Sequence, residues 1–118
     1  MKTEFNHFKL DYIEEIANGE DEFKKELICI FLKQIPEFIS NMKRYLSEYN
    51  NEALAKEAHT AKSSVLTFMM KDTGNALKKI QLLSKENNTK SLPALINEVE
   101  KQLTLASEEL ESYLKEAD

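Results

Sequence analysis

The sequence predicts an all-α protein, an up-down-up-down antiparallel four-helix bundle with a short N-terminal helix. Apolar residues recur at steps of three and four through most of the 118 residues, which is the period of one helix face. The chain has only two glycines and two prolines, too few for the many turns of an all-β fold. The breaks between the periodic segments are short and polar, so consecutive helices become antiparallel neighbours.

The first two elements are separated by a clear stop signal. Residues 11–17 form a short helix, and Asn18-Gly19 ends it because glycine suits the left-handed position after a helix. The second helix runs from about residue 21 to residue 49 and contains Pro36. Because the apolar stripe keeps its phase on both sides of Pro36, we expect one kinked helix here. Cys29 lies in the apolar part of this helix and is expected in the core.

Three further helices complete the predicted bundle, which spans about residues 21–116. The third covers about residues 51–70, and its core stripe follows strict steps of four and three: Leu54, Ala58, Ala61, Val65 and Phe68. The fourth covers about residues 74–86, after a break at 71–74 in which Asp72 or Thr73 caps it. Ser91 caps the last helix, and Pro93 fits its first turn.

Composition limits the functions that are open to the chain. The length and the balance of 42% hydrophobic and 31% charged residues predict one globular domain over residues 1–118. A lone cysteine excludes a disulfide framework and a cysteine-based zinc site. The net charge of −5 argues against nucleic acid and anionic membranes as partners. With no apolar run long enough for a membrane span or a secretory signal, we expect a cytoplasmic monomer.

The third helix carries a candidate site on its outer face. On a helical wheel with Leu54 at zero, the core stripe clusters within about 40° of zero, whereas His59 falls at about 140°. The other residues that the wheel places around His59 are Ala55, Lys62, Ser63, Leu66 and Met70. The imidazole is therefore expected to point toward solvent or a partner. The remaining histidine, His7, lies in a weakly patterned terminus and is read as a surface residue.

This combination predicts a phosphoryl carrier. An exposed imidazole is partly neutral and nucleophilic near neutral pH. The ammonium of Lys62 can neutralise phosphoryl oxygens once the group is attached. Small side chains at Ala55 and Ser63 leave room for the active site of a partner, and apolar Leu66 and Met70 offer it a docking surface.

The segment from Ala58 to Ser64, AHTAKSS, resembles the signature of bacterial histidine-containing phosphotransfer (HPt) domains, and the resemblance extends over about residues 10–114. In that family the pattern reads His, any residue, Leu, Lys, Gly, then two small residues. The resemblance implies that His59 takes a phosphoryl group from an aspartyl phosphate on one response-regulator receiver domain. It then passes the group to an aspartate on another, and either receiver can belong to a hybrid sensor kinase. Lys62 would stabilise the phosphate.

The same resemblance implies a carrier rather than a self-sufficient enzyme. The chain has no ATP-binding features and needs no cofactor of its own, since the receiver would supply Mg²⁺. Two positions depart from the family pattern. Ala61 stands at the core-facing leucine position, and Ser63 stands where the family prefers glycine. A further departure lies in the region some nine or ten residues after the histidine, where the family often has another glycine and this chain has Met69 and Met70.

Other functions remain open on the sequence. The strongest alternative is a phosphorylation-independent adaptor, which is a degenerate bundle that docks a signalling partner without using His59. An enzyme with a pocket is disfavoured because the inward positions are apolar throughout. A metal site is disfavoured because His59 has no ligand partner four residues away.

Charge is distributed unevenly along the chain. Residues 90–118 hold three lysines and seven acidic residues, whereas residues 51–71 hold three lysines and two glutamates. The charged residues of both segments could simply form solvated helix surfaces. Alternatively, the slightly basic third helix suits an acidic partner.

Overall fold

The computed structural model of the protein describes residues 7–117, and within them it contains five α-helices and no strand. Helix α1 spans Asp11–Ala17, α2 Asp21–Ser47, α3 Asn51–Thr67, α4 Lys71–Lys85 and α5 Leu92–Ala117. Helices α2 and α4 each pack against both α3 and α5, and α1 packs on α2. This closed ring of neighbours is a four-helix bundle about 45 Å long and 20 Å wide, which confirms the predicted fold class.

Helix α2 is continuous through Pro36, as the unbroken phase of its stripe predicts. The turn between α3 and α4 differs from the prediction, since α3 ends at Thr67 and α4 already begins at Lys71. Met69 adopts a left-handed conformation with φ 58°, and the Met70 N–H donates to the Val65 carbonyl at 3.0 Å. These backbone contacts close a three-residue turn, so Asp72 lies inside α4 and does not cap it.

The core runs along the whole bundle and takes one stripe from each helix. Its largest fully buried side chain is that of Phe31, which stacks on Phe68 with ring centroids 4.2 Å apart. Helix α3 contributes mostly small residues to this core. Ala58 and Ala61 are fully buried, and their size lets the neighbouring helices approach α3 closely.

The segment before α1 belongs to the core, which its weak pattern did not predict. Phe8 and Leu10 are buried, and the Lys9 N–H donates to the Phe68 carbonyl at 2.9 Å. His7 is half-buried, with its Nδ1 2.8 Å from Oε1 of Glu109 and its backbone N–H donating to the same oxygen. His7 is thus a partly covered surface residue with a partner on α5, and the segment ties α5 to the end of α3.

The expectation for Cys29 is also wrong, because its side chain is exposed on α2. It follows the buried Ile28 and precedes Ile30, which is half exposed, so the apolar run at 27–32 wraps around the helix rather than facing the core alone. Within residues 7–117, no helix has the length and apolar character that crossing a bilayer requires.

Lys24 connects three helices at the end of the bundle where α1 packs. Its Nζ donates to Oε1 of Glu14 at 3.2 Å and lies 5.5 Å from the ring centroid of Tyr113. A hydrogen bond with Tyr113 and a weaker contribution from Glu14 raise the pKa of Lys24 above its ordinary value, against an opposing effect of burial. Helices α1, α2 and α5 are thus joined by a polar contact at the edge of the core.

Whether the core requires a small side chain at position 61 can be tested by introducing the leucine of the HPt pattern. We expect Ala61→Leu to lower the free energy of unfolding by about 1–3 kcal/mol, because a fully buried methyl site cannot take three more carbons without strain. Ala94→Leu, on the exposed side of α5, is the control and should change stability by less than about 0.5 kcal/mol. Urea unfolding measures both, and equal stabilities for the two variants would contradict this packing.

Candidate functional site

His59 lies in the middle of α3 with its imidazole exposed. Among residues 7–117, no side chain or backbone group forms a hydrogen bond with either ring nitrogen. The position follows from the helix itself, since Ala58 and Ala61 turn into the core and direct the intervening residues outward. A neutral imidazole here presents a lone pair that an approaching molecule can reach.

Lys62 and Ser63 lie one turn beyond His59. Lys62 is half-buried and forms no ion pair with the part of the chain that the structure describes. Ser63 is exposed, and its hydroxyl donates back to the His59 carbonyl at 3.4 Å. This contact turns the Ser63 hydroxyl back toward its own helix.

Two of the predicted docking residues are not on the surface. Met70 is 3% exposed and Ala55 is 4% exposed, so both expectations of solvent-facing positions are wrong. The wheel assumed that α3 continues to residue 70, whereas the left-handed Met69 turns the chain and sends Met70 into the core. Ala55 instead lies on the side of α3 that faces α4. Leu66 is 45% exposed, on the same side of α3 as His59.

The site also includes residues of α4 that the sequence did not reveal. An open groove of about 780 Å³ lies between α3 and α4 beside the imidazole. On the α3 side, the groove is lined by Asn51, Glu52, Ala55, Lys56, His59 and Thr60. From α4 and the turn that follows, it is lined by Gln81, Ser84, Lys85 and Asn87. We call this the α3/α4 groove.

Helices α3 and α4 come into close contact at Gly74. A Cβ on Gly74 would lie 2.8 Å from Cδ2 of Leu66, so glycine lets this part of α4 pack directly against that side chain. Further along the antiparallel pair, Gln81 and His59 line the same groove.

Sequence comparisons find no relative of the chain: no protein-family model and no curated protein matches it. Comparison with solved structures finds the histidine-containing phosphotransfer protein B (HptB) from Pseudomonas aeruginosa PAO1, with a TM-score of 0.87. The similarity covers 96% of this chain and 98% of that protein. The chain has the fold of a histidine-containing phosphotransfer protein.

The HPt fold agrees with the resemblance carried by the segment around His59. The two chains share 14% sequence identity, so the likeness is one of helix arrangement. Within residues 7–117, no group of three or more His, Cys, Asp or Glu side chains is placed to hold a metal ion. The residues that the site offers are an imidazole nucleophile, lysines and small side chains.

The contact between Gly74 and Leu66 predicts coupling between these two positions. Gly74→Ala alone should be neutral or destabilising, because the new methyl group must displace the Leu66 side chain. In a Leu66→Ala background, the same change should stabilise the protein by about 0.5–1 kcal/mol through its higher helix propensity. A double-mutant cycle measured by urea unfolding gives the coupling energy. If the two changes are additive, the close contact is not a constraint on α4.

Proposed function

We propose that this protein is a phosphorelay intermediate that carries a phosphoryl group on His59. The observation that supports this best is the exposed imidazole at mid-α3, free of hydrogen-bond partners within residues 7–117, on a bundle with the fold of HptB. An aspartyl phosphate on a response-regulator receiver domain is the donor, and an aspartate on a second receiver is the acceptor.

The transfer is a displacement at phosphorus. The lone pair of a neutral His59 nitrogen attacks the phosphorus atom of the donor's aspartyl phosphate. As the nitrogen–phosphorus bond forms, the bond between phosphorus and the aspartyl oxygen breaks, and the aspartate leaves as a carboxylate. The phosphohistidine then carries a positive ring and a dianionic phosphoryl group. The return step reverses these changes on the second receiver, so no oxidant or other co-reactant is needed.

The surroundings of His59 supply positioning rather than acid–base chemistry. Lys62, one turn away, has no carboxylate partner within residues 7–117 and can pair with the oxygens of the transferred group. The helix holds the imidazole at a fixed position, which lowers the entropic cost of aligning it with the donor. The Mg²⁺ that receiver phosphates require is expected on the receiver.

Because the chain has no ATP-binding features, we expect it to carry phosphate without phosphorylating itself. A phosphorylation-independent adaptor is the competing function, since exposed Leu66 and the α3/α4 groove could bind a partner without using the imidazole. The two functions differ in whether His59 is needed, so one variant separates them.

Substitution of His59 tests the proposal directly. The protein is mixed with receiver domains encoded by the same genome, each phosphorylated with acetyl phosphate, and acid-labile, alkali-stable phosphate on the chain is measured. We expect the wild-type protein to be labelled and His59→Gln to lose all labelling, because the amide has no nucleophilic ring nitrogen. His7→Gln removes the only other histidine and should be labelled like the wild type.

Two results would overturn the proposal. One is equal labelling of His59→Gln and the wild type. The other is the absence of labelling with every receiver, although a receiver binds both proteins equally well, which is the result that an adaptor would give.

A further inference from the structure

Helices α1 and α4 are each followed by an asparagine in the left-handed backbone conformation. Asn18 directly follows α1 with φ 52°, and Asn87 lies just after α4 with φ 57°. Asparagine adopts this conformation more readily than most residues that carry a Cβ. The two turns thus present the same residue type in the same backbone geometry, and they differ in the hydrogen bonds around it.

The turn after α4 holds both groups that flank its asparagine. Oδ1 of Asn87 accepts a hydrogen bond from the Asn51 side chain at 3.0 Å. The backbone N–H of the next residue, Asn88, donates to the Leu83 carbonyl at 2.9 Å. The side chain of Asn87 and the nitrogen that follows it are therefore both held in place.

The turn after α1 lacks both of these bonds. Within residues 7–117, the exposed Asn18 side chain has no hydrogen-bond partner and the Gly19 N–H donates to no group. A Cβ built on Gly19 would meet no atom within 4 Å, so the space around this residue is open. Neither contacts nor crowding keep the carboxamide carbon of Asn18 away from the nitrogen of Gly19.

These are the two atoms that join when an asparagine deamidates. The backbone nitrogen attacks the carboxamide carbon, a carbon–nitrogen bond forms, and the side-chain nitrogen leaves as ammonia with the proton of the backbone amide. Water then opens the cyclic imide at either of its carbonyl carbons. One opening gives aspartate, and the other gives isoaspartate, in which the main chain continues through the former side chain. Water is consumed and ammonia is released, so no other reactant is needed.

We propose that Asn18 is a site of spontaneous deamidation in the folded protein and reacts before the other asparagines of residues 7–117. It is the one asparagine of the sequence that glycine follows, and glycine offers the least hindered backbone nitrogen. Asn88 is also exposed in a turn, but the branched side chain of Thr89 crowds the nitrogen beside it. Asparagines inside helices, such as Asn41, react only after local opening.

The reaction also weakens the attachment of α1 to the bundle. Its product adds a carboxylate at the negative end of the α1 dipole, and the last turn of α1 has no basic residue to compensate it. Isoaspartate in addition inserts a methylene group into the main chain at the residue whose N–H donates to the Glu14 carbonyl at 3.0 Å. Because α1 is held by the buried side chains of Ile13 and Ala17 on one face, we expect it to open more often. This effect does not depend on phosphoryl transfer at His59.

Peptide mapping of aged protein tests the site. The full chain is incubated under mildly alkaline native conditions, and in parallel in urea, and the mass gain at each asparagine is followed over time. We expect Asn18 to react first and to keep its native rate within about tenfold of its unfolded rate, since opening of a turn costs little free energy. Folding should slow Asn41 much more strongly. The proposal is overturned if folding slows Asn18 as much as Asn41, or if Asn88 reacts as fast as Asn18 in the native protein.

Hydrogen exchange tests the effect on α1 and separates the new charge from the added methylene group. Asn18→Asp carries the charge on a normal main chain, and Asn88→Asp adds the same charge to the exposed turn after α4. We expect the α1 amides to exchange about two- to fivefold faster in Asn18→Asp and at the wild-type rate in Asn88→Asp. The isoaspartate form isolated from aged protein should exchange faster still. Wild-type exchange of α1 in both altered forms of residue 18, or equal acceleration in Asn88→Asp, would contradict the loosening of α1.

Discussion

The close approach of α4 to α3 at Gly74 is the constraint on which the rest of the site depends. With only a hydrogen on this residue, the α4 backbone lies against the Leu66 side chain, and a turn of three residues completes the hairpin. This contact lets the two helices pack closely at this point. The pairing of the two helices in turn brings Gln81 and Lys85 of α4 beside His59.

Contacts made by the segment before α1 and by α2 stabilise the turn that joins α3 to α4. The Lys9 N–H binds the Phe68 carbonyl, and the Phe68 ring stacks on Phe31 of α2. His7 and Glu109 connect the same segment to α5. The turn is thus held by the segment before α1, by α2 and, through that segment, by α5. If His59 carries a phosphoryl group as proposed, its fixed position on a helix lowers the entropic cost of aligning it with a donor.

Much of the fold was predictable because the apolar stripe of each helix is formed by many residues, so the helical period is clear from the sequence. The α3–α4 turn was not, since methionine gives no sign of a left-handed conformation, whereas Asp72 and Gly74 resemble helix breakers. Contacts that join distant positions, such as His7 with Glu109, leave no periodic trace in the sequence.

The candidate site, like the fold, was predictable from the sequence only in part. A wheel for one helix places His59, Lys62, Ser63 and Leu66 on the outer side of α3, and their exposures agree with it. It fails for Ala55 and Met70, because a wheel does not include the helix packed alongside or the end of its own helix. Gln81 and Lys85 line the groove beside His59 from α4, and only the structure supplies the helix packing that brings them there.

The central claim is that His59 itself becomes phosphorylated, and nuclear magnetic resonance can observe the bond. The protein, labelled with ¹⁵N in its histidine rings, is incubated with a phosphorylated receiver and Mg²⁺, and ³¹P and ring ¹⁵N spectra are recorded. The account predicts a phosphoramidate ³¹P signal coupled to a ring nitrogen of His59, with the ring of His7 unchanged. A receiver that binds the protein and loses its phosphate only to water, with no such coupling at His59, would contradict it.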